Sequence, residues 1–182
     1  MSEAASRREE SLAATRIAQI FGEHADFVWR SLRRLGVPAA DVDDALQEVF
    51  SVVHRRLDEY EDRGLMRAWL FSISRQVASH YHRGARRTEE RHRGVSVTAL
   101  PRDPEEAFER REAELFVSEF LEGLDEPRRL VFYLSDVEGL TAPEIASALA
   151  VNLNTVYGRL RQARSRFEAA LTERGREGSR SS

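Results

Sequence analysis

The sequence predicts an all-α protein made of two small helical domains joined by a flexible linker. Three observations carry that reading. Apolar residues recur at helical spacing in several stripes along the chain. No stretch keeps the strict alternation of a strand over a useful length. The segment 85–105 is rich in Arg, Gly, Thr and Ser, contains Pro101 and Pro104 near its end, and shows little periodicity. That segment divides an N-terminal domain, 10–84, from a C-terminal one, 106–172. The ends, 1–9 and 173–182, read as disordered tails. A chain of 182 residues can hold two small cores.

The elements follow in order. Weak helical patterns cover Ser11 to Phe21 and Glu23 to Leu35. Gly36-Val37-Pro38 separates them from the next helix, for which Asp41 is the expected N-cap. Val42, Ala45, Leu46, Val49, Phe50, Val53 and Leu57 then form one apolar stripe. Met66, Trp69, Leu70, Ile73, Val77 and Tyr81 form a second, with Trp69 expected in the core. Beyond the linker, weaker patterns cover Phe108 to Leu121 and Pro127 to Val137.

The sharpest local signal comes next. Thr141 followed three residues later by Glu144 is a capping box. Pro143 falls in the first turn, where its missing N–H costs nothing. The helix ends near Ala150, Val151 pins a short turn, and Asn152 is placed to cap the following helix. That helix directs Val156, Leu160, Ala163, Phe167 and Leu171 inward. Two helices joined by so tight a turn are a helix-turn-helix, whose second helix enters the major groove. An ordinary helical hairpin is the plainer alternative.

Charge separates along the chain although the net charge is only -3. Asp41 to Asp62 holds eight acids and two Arg, whereas Arg63 to Arg93 holds eight Arg and two acids. Asp103 to Glu126 holds ten acids and two Arg, and Val151 to Arg176 six Arg and two acids. Two basic stretches between acidic ones fit two nucleic-acid contacts on one chain. Solvated helix faces with ion pairs give the same pattern. All 28 basic residues are Arg. With no cysteine, disulfides, thiolate metal sites and cysteine nucleophiles are excluded. No P-loop, Gly-rich dinucleotide turn or nucleophile–base pair is present, so no catalytic residue and no cofactor is assigned. No apolar run reaches the roughly 18 residues a membrane span needs, and the N-terminus is no signal peptide, so a cytoplasmic location is expected.

Three exposed faces are the candidate sites. On the first stripe's helix, Asp44, Gln47 and Glu48 share an outward ridge that can dock on a basic protein surface. No Glu-x-x-His pair lies on that helix, so no metal is expected there. The second stripe leaves Arg67, Ser72, Arg75, Gln76, Ser79, His82 and Arg83 outward, beside aromatic residues. Arg next to aromatics suits single-stranded DNA, the charge following the backbone while bases stack or flip into pockets. On the last helix the outward set includes Asn154, Thr155, Tyr157, Gly158, Arg159, Arg161, Gln162 and Arg164. Arg and Gln pair with guanine and adenine edges, and further Arg residues suit phosphate.

Taken in order, DDALQEVFSVVHRRL, MRAWLFSISRQVASHYHRGARR and GLTAPEIASALAVNLNTVYGRLRQAR closely resemble the extracytoplasmic-function group of the sigma-70 family of bacterial RNA polymerase sigma factors. The resemblance runs from about Phe21 to Leu171, and the length fits a member holding sigma regions 2 and 4 alone. It implies that region 2 binds the clamp helices of the polymerase β′ subunit through Asp44, Gln47 and Glu48. It implies that Arg63, Leu65, Arg67, Arg75, Gln76, Ser79 and Arg83 read and hold the melted −10 strand. Region 4 is then expected to bind the β flap and read the −35 element, with Tyr157, Gly158, Arg161 and Gln162 on bases. Arg159 and Arg164 fall on phosphate, and Thr155 belongs to the same −35 surface. The linker would thread near the active-site channel, and an anti-sigma factor is a common partner in this group. Gln76 stands where many members carry Asn, Gly158 where Ser or Thr is usual, and Ala150 where a turn Gly is common. A helix-turn-helix regulator that ignores core polymerase is the alternative; it accounts for Thr141 to Arg164 but not for the Asp43 to Arg83 pattern.

Overall fold

The computed structural model describes residues 2–60, 64–85 and 104–178, with side chains described over 14–60, 64–81 and 111–176. The chain forms two compact units, 1–94 and 95–182. Among the described residues, all regular structure is helical.

The first unit is a three-helix bundle of α1 (Ser2–Arg34), α2 (Val42–Arg56) and α3 (Met66–Ala85), each helix packed on the other two. The two weak N-terminal patterns are one continuous helix. Gly22 sits inside it with open space around its Cα and does not break it. The expected N-terminal tail is helical from Ser2. Ala4, Ala5, Arg7, Arg8, Glu9 and Glu10 are mostly strong helix formers, and no Pro intervenes.

Gly36 stops α1 in the left-handed region, φ 88. The bonds Val37 N to Leu32 O and Gly36 N to Arg33 O, 3.0 and 3.1 Å, close a Schellman motif. Val37 is buried just beyond it. Asp41 does precede α2 but makes no side-chain cap bond; its carbonyl starts the helix by accepting from Ala45 N at 3.0 Å. A short 3-10 turn, Leu57–Glu59, ends the segment.

The core holds Phe27, Val28 and Leu32 from α1, Val42, Ala45, Val49, Phe50 and Val53 from α2, and Leu70, Phe71, Ile73 and Val77 from α3. The two strong stripes are therefore the buried faces, with Leu46, Met66, Trp69 and Tyr81 at their half-buried margins. Trp69 lies against Tyr60, ring centroids 4.8 Å apart.

The second unit contains α4 (Pro104–Glu122), α5 (Glu126–Phe132), one turn of π-helix (Tyr133–Val137), α6 (Ala142–Leu149) and α7 (Leu153–Gly178). The expected helix over 127–137 changes pitch midway, α-helical to Phe132 and π-helical after it. Glu138 follows that turn, buried, with a carboxylate oxygen accepting from the Tyr133 hydroxyl at 2.7 Å.

Phe116 and Phe120 of α4, Phe132 of α5 and Phe167 of α7 form an aromatic cluster with ring centroids 4.9–5.7 Å apart. Rings at such spacing favour tilted or edge contacts. Leu171, expected inward, is 47% exposed because the buried face of α7 ends near Phe167. The expected C-terminal tail continues α7 as far as Gly178, since Ala169, Ala170, Leu171, Glu173 and Arg174 favour helix strongly. Of the expected linker, 86–103 lies outside the described residues. No helix among the described residues is long and apolar enough to cross a membrane.

Candidate nucleic-acid interface

The helix-turn-helix is assembled by local chemistry. Glu144 closes the capping box, its Oε2 accepting from Thr141 N at 2.7 Å and from Thr141 Oγ1 at 2.6 Å. At the other end of α6, Val151 N reaches Ala146 O at 3.0 Å and Ala150 N reaches Ser147 O at 3.2 Å. That Schellman pair demands a left-handed residue, and Ala150 supplies it at φ 53. Two residues later Asn152 Oδ1 accepts from Asn154 N at 2.8 Å and caps α7. Val156, Leu160 and Ala163 are buried, which fixes the roll of α7.

The roll leaves Tyr157, 53% exposed, together with Arg161, Gln162 and Arg164 facing solvent, while Thr155, Gly158 and Arg159 are half-buried. Arg161, Gln162, Ser165 and Arg166 line a shallow depression on this face. Two of the expected contact residues are already held by neighbours. Arg164 Nε donates to Asp136 Oδ1 at 3.0 Å, and its NH2 group reaches Ser135 Oγ at 3.3 Å. Arg164, expected on phosphate, is thus paired with an acid of the π-helical turn. Gln162 Oε1 accepts from Arg128 Nε of α5 at 2.7 Å, and Arg128 is in turn bonded to Asp125. The Arg128 hydrogen bond holds the Asp125 carboxyl below its ordinary range. Arg128 was missed in the sequence, because it lies 34 residues from Gln162 and only the packing of α5 on α7 joins them.

In the first unit the ridge is present as spaced: Asp44 and Gln47 are exposed and Glu48 is partly so. Glu48 Oε1 lies 3.4 Å from His80 Nδ1 of α3, so the ridge borders the second candidate face. Burial, and then the field of Glu48, Asp44 and Asp41, pushes the Tyr81 hydroxyl above its ordinary value. Trp29 Nε1 donates to Asp43 Oδ1 at 3.3 Å, tying α1 to the start of α2.

On α3, Arg75, Gln76 and Ser79 are exposed and Leu65 is half-buried. The Ser79 hydroxyl donates to Gln76 O at 2.7 Å and that of Ser72 to Trp69 O at 2.7 Å. Arg67 departs from expectation. It is half-buried, with its guanidinium over the Phe27 ring, 4.4 Å from the centroid. An Arg stem lying along apolar surface covers more of its length than a purely outward one. Beside it His24 of α1, missed in the sequence, is held below its ordinary value chiefly by burial, with Arg67 adding to that and Glu23 opposing. Arg63 and the side chains of His82 and Arg83 lie outside the described residues.

A helical bundle with an acid-and-amide ridge, and a separate helix-turn-helix with an Arg-rich exposed helix, define a two-unit DNA-binding protein of the transcription machinery. The family model described as Sigma-70 region 2 matches residues 20–88, and that described as Sigma-70, region 4, matches residues 117–167. The RNA polymerase sigma factor NccH of Alcaligenes xylosoxydans xylosoxydans is 29% identical over 93% of this chain and 94% of its own. The ECF RNA polymerase sigma factor SigE of Mycolicibacterium smegmatis is 27% identical over 87% of this chain and 63% of its own. Among solved structures, CnrH in complex with the cytosolic domain of CnrY aligns at a TM-score of 0.62 and 27% identity, over 90% of this chain and 94% of that one. The chain belongs to the sigma-70 family of RNA polymerase sigma factors, in its extracytoplasmic-function group.

Proposed function

We propose that this sigma factor joins core RNA polymerase in the cytoplasm and directs it to promoters by gripping DNA at two points. The region 4 unit reads the −35 element through Thr155, Tyr157, Gly158, Arg159, Arg161, Gln162 and Arg164, with Arg161 and Gln162 on base edges. The region 2 unit docks on the β′ clamp helices through Asp44, Gln47 and Glu48. Its Arg63, Leu65, Arg67, Arg75, Gln76, Ser79 and Arg83 hold the melted −10 strand, with stacking and phosphate contacts in place of a fuel-driven step. The observation that carries the reading is the exposed row of Tyr157, Arg161 and Gln162 on α7, directly behind a fully capped helix-turn-helix.

Region 2 spans 10–84 in this reading, 85–105 is the connecting leash and 106–172 is region 4, which also meets the β flap. An anti-sigma factor is a natural partner, since the related CnrH was solved bound to the cytosolic domain of CnrY. The alternative, a regulator indifferent to core enzyme, leaves the α2 ridge without a purpose.

The test is association with purified core polymerase, measured for the wild type, Gln47→Ala and Glu48→Ala. Binding by the wild type and a several-fold loss in the variants supports the docking surface. Undiminished association of both variants removes these residues from it.

A further inference from the structure

Gln162 carries a side-chain amide whose two ends speak opposite hydrogen-bond languages: the oxygen accepts and the nitrogen donates. Free amides can turn over, and a Gln free to do so suits adenine, using its oxygen on N6 and its nitrogen on N7. Here the choice is made in advance. Arg128 Nε is a donor only, so the atom 2.7 Å from it must be the oxygen of Gln162. Arg128 is itself fixed, since its NH1 group is bonded to Asp125 at the start of α5. The series Asp125, Arg128, Gln162 thus leaves the amide nitrogen, with two donor hydrogens, at the opposite end of the amide from α5.

We propose that Arg128 is a positioning residue for promoter specificity: it locks the Gln162 amide so that Gln162 donates to a base edge carrying two acceptors, which is guanine O6 and N7, and discriminates against adenine. This rests on the reading of α7 as the promoter-reading helix and adds to it a residue on another helix that sets which base is read. Arg128 works through Gln162, and need not touch DNA to do so.

The experiment uses the full chain with core polymerase and a pool of promoter fragments randomised across the upstream element, with bound fragments sequenced. Gln162→Ala marks the position that Gln162 reads, as the single column whose preference collapses. Wild type is expected to favour guanine there. Arg128→Ala is expected to release the amide and cut the guanine-to-adenine ratio in that column by about tenfold, leaving other columns unchanged. Arg128→Lys, which keeps a donor, is expected to retain part of the preference. In a Gln162→Ala background, Arg128→Ala is expected to change no column.

A purely structural role for Arg128 would weaken every column together, and a direct phosphate contact would lower affinity uniformly with preferences intact; either result overturns the proposal. A wild-type preference for adenine in the Gln162 column overturns it too. Loss of all upstream preference in the wild type would instead strike down the promoter-reading assignment of α7, and the proposal with it.

Discussion

Arg164 of α7 is bound to Asp136, 28 residues earlier, with Nε 3.0 Å from one carboxylate oxygen and 3.3 Å from the other. Asp136 sits in the π-helical turn Tyr133–Val137, against α7. The pair anchors the middle of α7 while neutralising one of its positive charges.

Releasing that charge has a measurable consequence. Arg164 is about half exposed, so the ion pair contributes at most about 1 kcal/mol to folding. Asp136→Asn should therefore leave the fold nearly intact while freeing Arg164 for phosphate. Duplex affinity is expected to rise at low salt, and the slope of log K against log salt to steepen by about one. A salt titration of promoter binding by the holoenzyme checks this. An unchanged slope would mean that Arg164 stays off the backbone even when unpaired.

Two glycine-related positions predict stabilisation by opposite exchanges. Ala150 holds a left-handed conformation, φ 53, that costs an L-residue about 1 kcal/mol. Ala150→Gly relieves it, and a gain of up to about 1 kcal/mol is expected. Gly158 is in the body of α7, with nothing within 4 Å of where a Cβ would stand. Gly158→Ala is expected to add about 1 kcal/mol by helix propensity. Denaturant unfolding of the full chain reads both, as a shift of the region 4 transition; a loss of stability in either variant contradicts the backbone account.

Acid should loosen the region 2 unit through His24. Burial sets the folded His24 below its ordinary value of 6.5, and the nearby Arg67 pushes the same way. Below that value the unfolded chain takes the proton first, so stability falls as pH drops from about 6.5. Above it both states are neutral and the contribution is flat. Unfolding followed from pH 8 to pH 5 should show the decline, and His24→Gln should remove part of it. A variant with the same pH profile as wild type would place the acid sensitivity elsewhere.

The parts visible in the sequence were those dictated by local rules. The stripes of α2 and α3, the capping box at Thr141 and the cap at Asn152 each depend on residues within a few positions, and each formed as spaced. What escaped was set by tertiary contact or by continuous propensity. Gly22 divided one helix into two patterns, although an isolated exposed Gly costs too little to break a helix packed along its length. The π-helical turn after Phe132 has no sequence signature of its own. The links Arg164 to Asp136 and Arg128 to Gln162 cross 28 and 34 residues, beyond the reach of periodicity. Arg67 looked outward by helical phase alone, yet its guanidinium lies over the Phe27 ring.

Reconstituted run-off transcription tests the central claim most directly. Core polymerase, a template bearing promoters enriched by this chain, and the chain itself are combined, with Arg161→Ala as the comparison. The account predicts discrete transcripts only when the chain is present, and a selective loss of initiation from upstream-element-dependent promoters with Arg161→Ala. Binding of the promoter duplex without core enzyme, together with no discrete transcript when core is supplied, would contradict it.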